Sequence, residues 1–142
     1  MKFEESIKIN ATPQQVFAIY KDVTNWPSWD PETVSASIDG EFAVGTIGKI
    51  KPGKEPETKI TWVEVTPDKS FTVECKLPLC KMQFIHELTA ESDQTLVVNR
   101  IELTGLSSSI FGLLIGSKLK QGVQQSLLGL KEHLEFSEVS RQ

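Results

Sequence analysis

The last third of the chain carries one long apolar stripe with the spacing of a helix. Its apolar side chains recur every three or four positions over about 25 residues, which is typical of a single amphipathic helix. The stripe consists of Phe111, Ile115, Leu119, Val123, Leu127, Leu130 and Leu134. At about 1.5 Å per residue this helix is about 40 Å long, so it can cover one face of a whole sheet.

Six segments ahead of this helix are rich in β-branched and aromatic residues, which predicts strands. The predicted strands cover residues 34–38, 46–51, 58–66, 70–77, 81–90 and 95–104. Turn-forming sequences such as Asp39-Gly40 and Pro52-Gly53 separate them. Because these connections are short, we expect an antiparallel meander.

The N-terminal segment predicts one more strand and a helix. Phe3, Ser6, Ile7 and Ile9 mark the strand, and Glu5, Lys8 and Asn10 are expected at its solvent-facing positions. Thr12, followed by Pro13 and Gln15, has the pattern of a capping box, in which side chains satisfy free amide donors at a helix start. A helix is therefore expected from residue 13 to about residue 21.

Prolines prevent this helix from continuing through residues 25–31. Pro27 and Pro31 remove backbone donors and move the residues before them out of helical geometry. We expect a short helical turn or an ordered corner here, with Trp26 packed against it and the Asp30 carboxylate capping a turn.

The composition fits one folded domain. Hydrophobic residues are 39% and charged residues 24% of the 142 residues, so we expect a single α+β domain over residues 1–142. The predicted order gives a curved sheet of about seven antiparallel strands under the long helix, and the curvature leaves an interior gap. Gly112 and Gly116 in that helix either permit close approach to the sheet or make room for a ligand.

Several short motifs resemble the polyketide cyclase/dehydrase-like branch of the START/Bet v 1 (SRPBCC) superfamily. They are residues 13–17 (PQQVF), 22–31 (DVTNWPSWDP), 45–48 (GTIG), 64–67 (EVTP) and 87–88 (EL), followed by the long helix. The resemblance covers essentially the whole chain and implies a helix-grip fold, in which a curved sheet wraps around the C-terminal helix and encloses a mostly apolar cavity. Members include lipid and hormone carriers and aromatase/cyclases, so the fold alone does not select a substrate.

Charge and cysteine content disfavour several other function classes. The net charge is -4, so the positive surplus that nucleic-acid binding needs is missing. Cys75 and Cys80, with His86 and His133, do not supply a zinc set, and we expect no metal and no organic cofactor. The chain has no apolar segment long enough for a membrane span and no secretory signal at its N-terminus, so we expect a cytoplasmic protein. We also expect a monomer or weak homodimer.

Residues two apart on a strand share a face, which predicts the side chains that line the interior. The predicted inward sets are Phe71, Val73, Cys75 and Leu77, then Met82, Phe84, His86 and Leu88, then Val97, Asn99, Ile101 and Leu103. The predicted ligand-contacting residues are Tyr20, Trp29, Trp62, Phe71, Val73, Phe84, His86, Val97, Asn99, Ile101, Ile115, Leu119 and Val123. A slip of one residue in a strand would reverse its assignment.

Individual polar and aromatic residues keep alternative interpretations. His86 is the candidate catalytic residue, because imidazole can move a proton near neutral pH, but it also fits a ligand contact, a structural hydrogen bond or an outward-facing position. We predict no carboxylate placed to orient it, so a catalytic dyad or triad is unsupported. Tyr20, Trp29 and Trp62 fit either core packing or stacking on a flat ligand.

The favoured function is binding of a small hydrophobic or aromatic molecule, lipid-like or polyketide-like, in the interior gap. The first alternative is an enzyme of the cyclase or dehydratase type that uses the same gap without a cofactor. The second is a partner-binding domain with a co-chaperone-like role, which an exposed apolar patch on the outer face of the sheet or at the proline corner would favour.

Overall fold

The computed structural model describes the backbone of residues 1–140 and the side chains of residues 1–136. The strands are β1 (Lys2–Ile9), β2 (Thr33–Ile38), β3 (Ile47–Pro52), β4 (Thr58–Thr66), β5 (Ser70–Leu77), β6 (Cys80–Glu91) and β7 (Gln94–Thr104). The helices are α1 (Pro13–Lys21), a 3₁₀ helix (Val23–Ser28) and α2 (Ser108–Ser140).

The strands form one antiparallel sheet in the order β1-β7-β6-β5-β4-β3-β2. The expected α+β helix-grip fold is confirmed, with short helices after β1 and one long helix at the end of the chain. The predicted limits of β4 and β5 match the structure, and those of β2, β3, β6 and β7 differ by one residue at one or both ends. The short turns leave each strand from β3 to β7 beside the one before it, whereas β1 pairs with β7 at the other edge.

The predicted facing of β1 was wrong for Glu5. The strand pairs with β7 residue by residue from Lys2 to Ile9, without a bulge, and Glu5 lies opposite Asn99. Strict alternation therefore puts Glu5 on the concave face with Phe3 and Ile7, and leaves Ser6 exposed on the other face. A carboxylate thus joins the side of the sheet that faces α2.

The capping box predicted at the start of α1 is confirmed. Gln15 N donates to Thr12 Oγ1 at 3.1 Å, and Thr12 N donates to Gln15 Oε1 at 2.8 Å. The 3₁₀ helix that follows is the predicted proline corner, and Trp26 Nε1 donates to the carbonyl oxygen of Tyr20 at 2.8 Å. This bond holds the corner against α1, so the corner has a fixed position beside the concave face.

Helix α2 packs against β1 and β7, at one side of the sheet. A methyl group on Gly116 would lie 2.8 Å from Phe3 Cζ, and one on Gly112 would collide with Met1 Sδ. The two glycines therefore permit close approach of the helix to the sheet, as expected, since a larger side chain would push the helix away. Within residues 1–140 no helix is both long and apolar enough to cross a bilayer.

The second half of α2 is tied to the proline corner and to the loop after β1. Ser126 Oγ donates to Asp30 Oδ1 at 2.7 Å, and Asn10 N donates to Glu135 Oε2 at 3.0 Å. Asp30 also accepts from the backbone amide of Glu32 at 2.9 Å, so it caps the corner as predicted and links the corner to α2. These contacts place the helix across the full length of β1.

Candidate functional site

The strand register puts the predicted inward residues into rows that cross the concave face. One row is Phe71, His86, Asn99 and Glu5, on β5, β6, β7 and β1. The next row is Trp62, Val73, Phe84, Ile101 and Phe3, and a third contains Leu88, Val97 and Ile7. Since directly paired residues share a face, the predicted inward facing of β5, β6 and β7 is confirmed. That these residues contact a ligand remains a prediction.

Aromatic rings from five elements meet above the first row. Their connected contacts join Phe17, Tyr20, Trp26, Trp29, Phe42, Trp62, Phe71 and His86. Phe71 is the centre of this aromatic cluster, and His86 stacks on it with ring centroids 4.0 Å apart and planes 4° apart. Tyr20 lies edge-on to both Phe71 and Trp29, at 5.0 and 5.6 Å. The structure thus brings Tyr20, Trp29, Phe71 and His86 together.

Polar groups lie at the edge of the aromatic cluster, along the first row. The Tyr20 hydroxyl donates to Asn99 Oδ1 at 3.4 Å, and both side chains are buried. Burial raises the pKa of Tyr20 well above its ordinary value, a change that the Asn99 hydrogen bond opposes and the nearby Asp30 charge reinforces. The hydroxyl therefore stays neutral at physiological pH.

Glu5 closes this row on the side of α2. Its Oε1 atom accepts from Gln124 Nε2 at 3.2 Å and lies 3.9 Å from Lys120 Nζ. Alternation from Phe3 to Ile9 could have identified Glu5, because every second residue between them, Glu5 and Ile7, shares their face. Asn99 lies between Glu5 and His86 in the register, so the carboxylate is not the immediate neighbour of His86 in the row.

His86 is held as a neutral hydrogen-bonding group. Its Nδ1 atom lies 3.3 Å from the carbonyl oxygen of Phe71, which can only accept, so this contact requires the proton on Nδ1 and leaves Nε2 as an acceptor. Burial lowers the pKa of His86 from its ordinary 6.5 to about 4, and hydrogen bonds to backbone groups and the Glu64 charge only partly offset this effect. At neutral pH the ring is therefore uncharged.

This shift predicts a pH dependence of stability. The unfolded chain takes up a proton on His86 as pH falls through 6.5, whereas the folded chain takes it up only near 4, so acid favours unfolding across this window. We expect His86 to lower the free energy of unfolding by about 2 kcal/mol between neutral pH and pH 4, less than full linkage gives, since the side chain keeps some solvent contact.

Urea unfolding at a series of pH values checks this expectation. The His86→Phe variant, which can still stack on Phe71, should lose this part of the pH dependence. Equal slopes for the wild type and the variant between neutral pH and pH 4 would contradict it.

Two inward-facing side chains on β6 are incompletely covered. Phe84 lies between Val73 and Ile101, both buried, yet Phe84 itself is only half-buried, as is His86. Helix α2 packs on β1 and β7, so its contacts lie to one side of β6. These two side chains therefore keep some exposure beside the part of the sheet that α2 covers.

The remaining predicted contact residues lie either on α2 or in the buried aromatic cluster. From α2, Leu119 and Val123 pack on the core, and Ile115, one turn earlier, is half-buried. Trp29 and Trp62 are buried, and among the described residues their Nε1 atoms have no hydrogen-bond partner. Trp62 touches Trp26 and Phe42, so it lies at the far side of the aromatic cluster from Asn99.

Two surface grooves run along α2. The larger, about 530 Å³, is lined by the proline corner and α2, including Trp29, Pro31, Gly129 and His133. The smaller, about 250 Å³, lies between β1 and α2 and includes Glu5 and Gln124. Both are open to solvent. Across the described residues no cluster of three or more His, Cys, Asp or Glu side chains could hold a metal ion. Burial raises the pKa of the Cys75 thiol to about 11, so this thiol stays protonated at neutral pH.

Residues 1–135 match the model of a family described as polyketide cyclase / dehydrase and lipid transport. The chain belongs to this family. No curated protein sequence matches this polyketide cyclase/dehydrase family chain.

Solved structures share the fold of this family member at low sequence identity. The crystal structure of TTHA0849 from Thermus thermophilus has a TM-score of 0.74 at 14% identity, over 96% of this chain and 99% of that chain. A START superfamily protein from Mycobacterium smegmatis has a TM-score of 0.71 at 14% identity, over 94% and 98%. The di-domain ARO/CYC StfQ from the steffimycin biosynthetic pathway has a TM-score of 0.78 at 12% identity, over 96% of this chain and 51% of that chain.

Proposed function

We propose that this protein binds a small, flat, largely apolar molecule with a hydroxyl or carbonyl oxygen, between the concave face of the sheet and α2. The observation that carries this proposal is the half-buried pair Phe84 and His86, which face inward beside the buried Asn99. Apolar walls with a few convergent polar groups are typical of small-molecule sites. The membership of the polyketide cyclase/dehydrase and lipid-transport family supports the same class of ligand.

The aromatic cluster gives the site its apolar contact. His86 stacks on the buried Phe71, with the buried Tyr20 edge-on to both, so the half-buried His86 ring offers the remaining aromatic surface to a ligand. Such surfaces favour a flat ring system, which can stack or pack edge-on without ordering long flexible side chains. Phe84 in the next row extends this apolar wall.

The polar groups favour binding over proton-transfer catalysis. A general acid or base works best with a pKa near the operating pH, and burial holds the pKa of His86 at about 4. At neutral pH its Nε2 atom can accept a hydrogen bond from a ligand hydroxyl, while the Asn99 amide can meet a carbonyl or hydroxyl. His86 and Asn99 are therefore polar anchors for a neutral ligand.

The test compares two probe ligands that differ by one hydroxyl, 2-naphthol and naphthalene. Both should bind, and 2-naphthol should bind about fivefold more tightly, since one net hydrogen bond contributes roughly 1 kcal/mol. The His86→Phe and Asn99→Leu variants should lose this preference and retain naphthalene. Titration calorimetry measures both affinities, and circular dichroism checks that each variant is folded.

A matched control is Gln83→Leu, which makes the same kind of change on the opposite face of β6. It should leave both affinities unchanged. Native mass spectrometry of protein purified from its own host should also show a retained apolar molecule. Protein that is consistently empty and binds neither probe would overturn the proposal, and an unchanged preference in the variants would remove His86 and Asn99 from it.

A further inference from the structure

The start of α2 carries large apolar side chains on the face turned away from the sheet. Leu106, Ile110, Leu113 and Leu114 are between 61% and 89% exposed. Ile110, Leu113 and Leu114 have the i, i+3 and i+4 spacing of one helical stripe, opposite the buried Gly112, and Leu106 lies in the turn just before α2. Single exposed leucines are ordinary, but a contiguous group of this kind marks an interaction surface.

A fifth exposed residue, Leu79, extends this surface from the turn between β5 and β6. Ser107 N donates to the Leu79 carbonyl oxygen at 3.1 Å, so this turn lies against the start of α2. Leu79 is 72% exposed. We call Leu79, Leu106, Ile110, Leu113 and Leu114 the apolar tip.

Leu79 has a backbone conformation that folding alone does not favour for leucine. Its φ is 56°, in the left-handed region, where glycine or asparagine is the common choice. The exposed side chain gains little from burial, so this conformation is held by the pairing of β5 with β6 and by the hydrogen bond from Ser107 N and not by packing of the leucine. An apolar residue kept at such a position fits a contact outside the folded chain.

The charged side chains within the two chain segments that form the apolar tip are lysines. Lys76 and Lys81 lie directly opposite each other where the β5–β6 turn begins and ends, although opposed like charges destabilise a sheet. Lys81 forms a long ion pair with Glu74 on β5, with Glu74 Oε1 3.9 Å from Lys81 Nζ. Residues 103–117 contain no charged side chain, and residues 75–86 contain no acidic one. The tip is therefore apolar with a basic rim, in a protein whose net charge is -4.

We propose that the apolar tip docks this protein on the surface of an anionic phospholipid bilayer. The leucine side chains would enter the boundary between head groups and acyl chains, and Lys76 and Lys81 would meet the lipid phosphates. A second copy of the chain fits less well, because a symmetric contact through the tip would bring two basic rims together. The inference goes beyond small-molecule binding and does not depend on it.

Vesicle co-sedimentation tests the docking with two lipid compositions. The wild type should bind vesicles of equal parts phosphatidylcholine and phosphatidylglycerol, and should bind phosphatidylcholine vesicles much more weakly. The double variant Leu113→Ser/Leu114→Ser should lower affinity for the mixed vesicles by at least about tenfold, because binding scales with buried apolar area. The Lys76→Gln/Lys81→Gln variant should lower it by more than about fivefold, since each lysine near an anionic surface contributes appreciably.

The matched control is Val44→Ser/Leu128→Ser, which changes two exposed apolar residues outside the tip. It should bind mixed vesicles like the wild type. Light scattering after size exclusion follows the oligomeric state of every variant without lipid. Failure of the wild type to bind mixed vesicles, an equal loss in the control, or a dimer that the Leu113→Ser/Leu114→Ser change dissociates would each overturn the proposal. The affinity of the protein for 2-naphthol is measured in a separate experiment, so failure of small-molecule binding would not overturn the membrane-docking proposal.

Discussion

Replacing Phe71 with alanine should lower the free energy of unfolding by about 3–5 kcal/mol. Phe71 is 1% exposed and touches rings from α1, the 3₁₀ helix, the loop before β3 and β6. Removal of its ring takes away buried apolar surface and also leaves a cavity lined by the neighbouring rings. Because those rings belong to separate elements, the cavity cannot close without moving the whole cluster.

Urea unfolding followed by circular dichroism measures this loss, and Phe136→Ala is the matched control. Phe136 is 67% exposed on α2, so its removal should change the free energy of unfolding by less than about 0.5 kcal/mol. If the two variants lost similar stability, the aromatic cluster would not be the centre of the core. Phe71→Ala should also weaken naphthalene binding, since His86 would lose the ring on which it stacks.

Replacing Gly129 with alanine should destabilise the protein by about 3 kcal/mol, even though alanine is the better helix former. A methyl group at this position would collide with the backbone carbonyl oxygen of Trp29 and lie 3.0 Å from Pro31 Cδ. Neither atom is the end of a flexible side chain, so α2 would have to move away from the proline corner. That movement would also stretch the hydrogen bond between Ser126 and Asp30.

The same substitution at Gly122, two turns earlier on α2, should raise the free energy of unfolding instead of lowering it. A methyl group there meets only the Glu32 side chain, at 3.8 Å, which is ordinary contact. Gly122→Ala should therefore stabilise the protein by up to about 1 kcal/mol through helix propensity. Thermal and urea unfolding of the two variants give the comparison, and a gain in stability for Gly129→Ala would show that the helix does not need its close approach to the corner.

Local chemistry made most of the fold predictable. The capping box at Thr12, the prolines of the corner and the period-two runs of β4 and β5 each act over a few residues, so their structures follow from the sequence nearby. The inward facing of Phe84, His86 and Asn99 was predictable for the same reason. The error at Glu5 came from weighting polarity above the strict alternation that an unbulged strand imposes.

The arrangement of the candidate site depends on contacts between distant segments, which no local pattern reports. The pairing of Tyr20 with Asn99 joins residues 79 positions apart, and that of Asp30 with Ser126 joins residues 96 apart. The stacking of His86 on Phe71 and the position of α2 over β1 and β7 are likewise results of tertiary packing. The sequence therefore supplied the residues of the site but not their partners.

The pairing of β1 with β7 sets the order in which this protein can form during synthesis. β1 has its sheet neighbour in residues 94–104, so its backbone groups stay unpaired until β2 to β6 and then β7 have been made. β2 to β6 can pair in succession meanwhile, each with the strand just made. Placement of β1 and α2 is thus a late step, and the nascent chain passes through a stage in which the concave face is fully open.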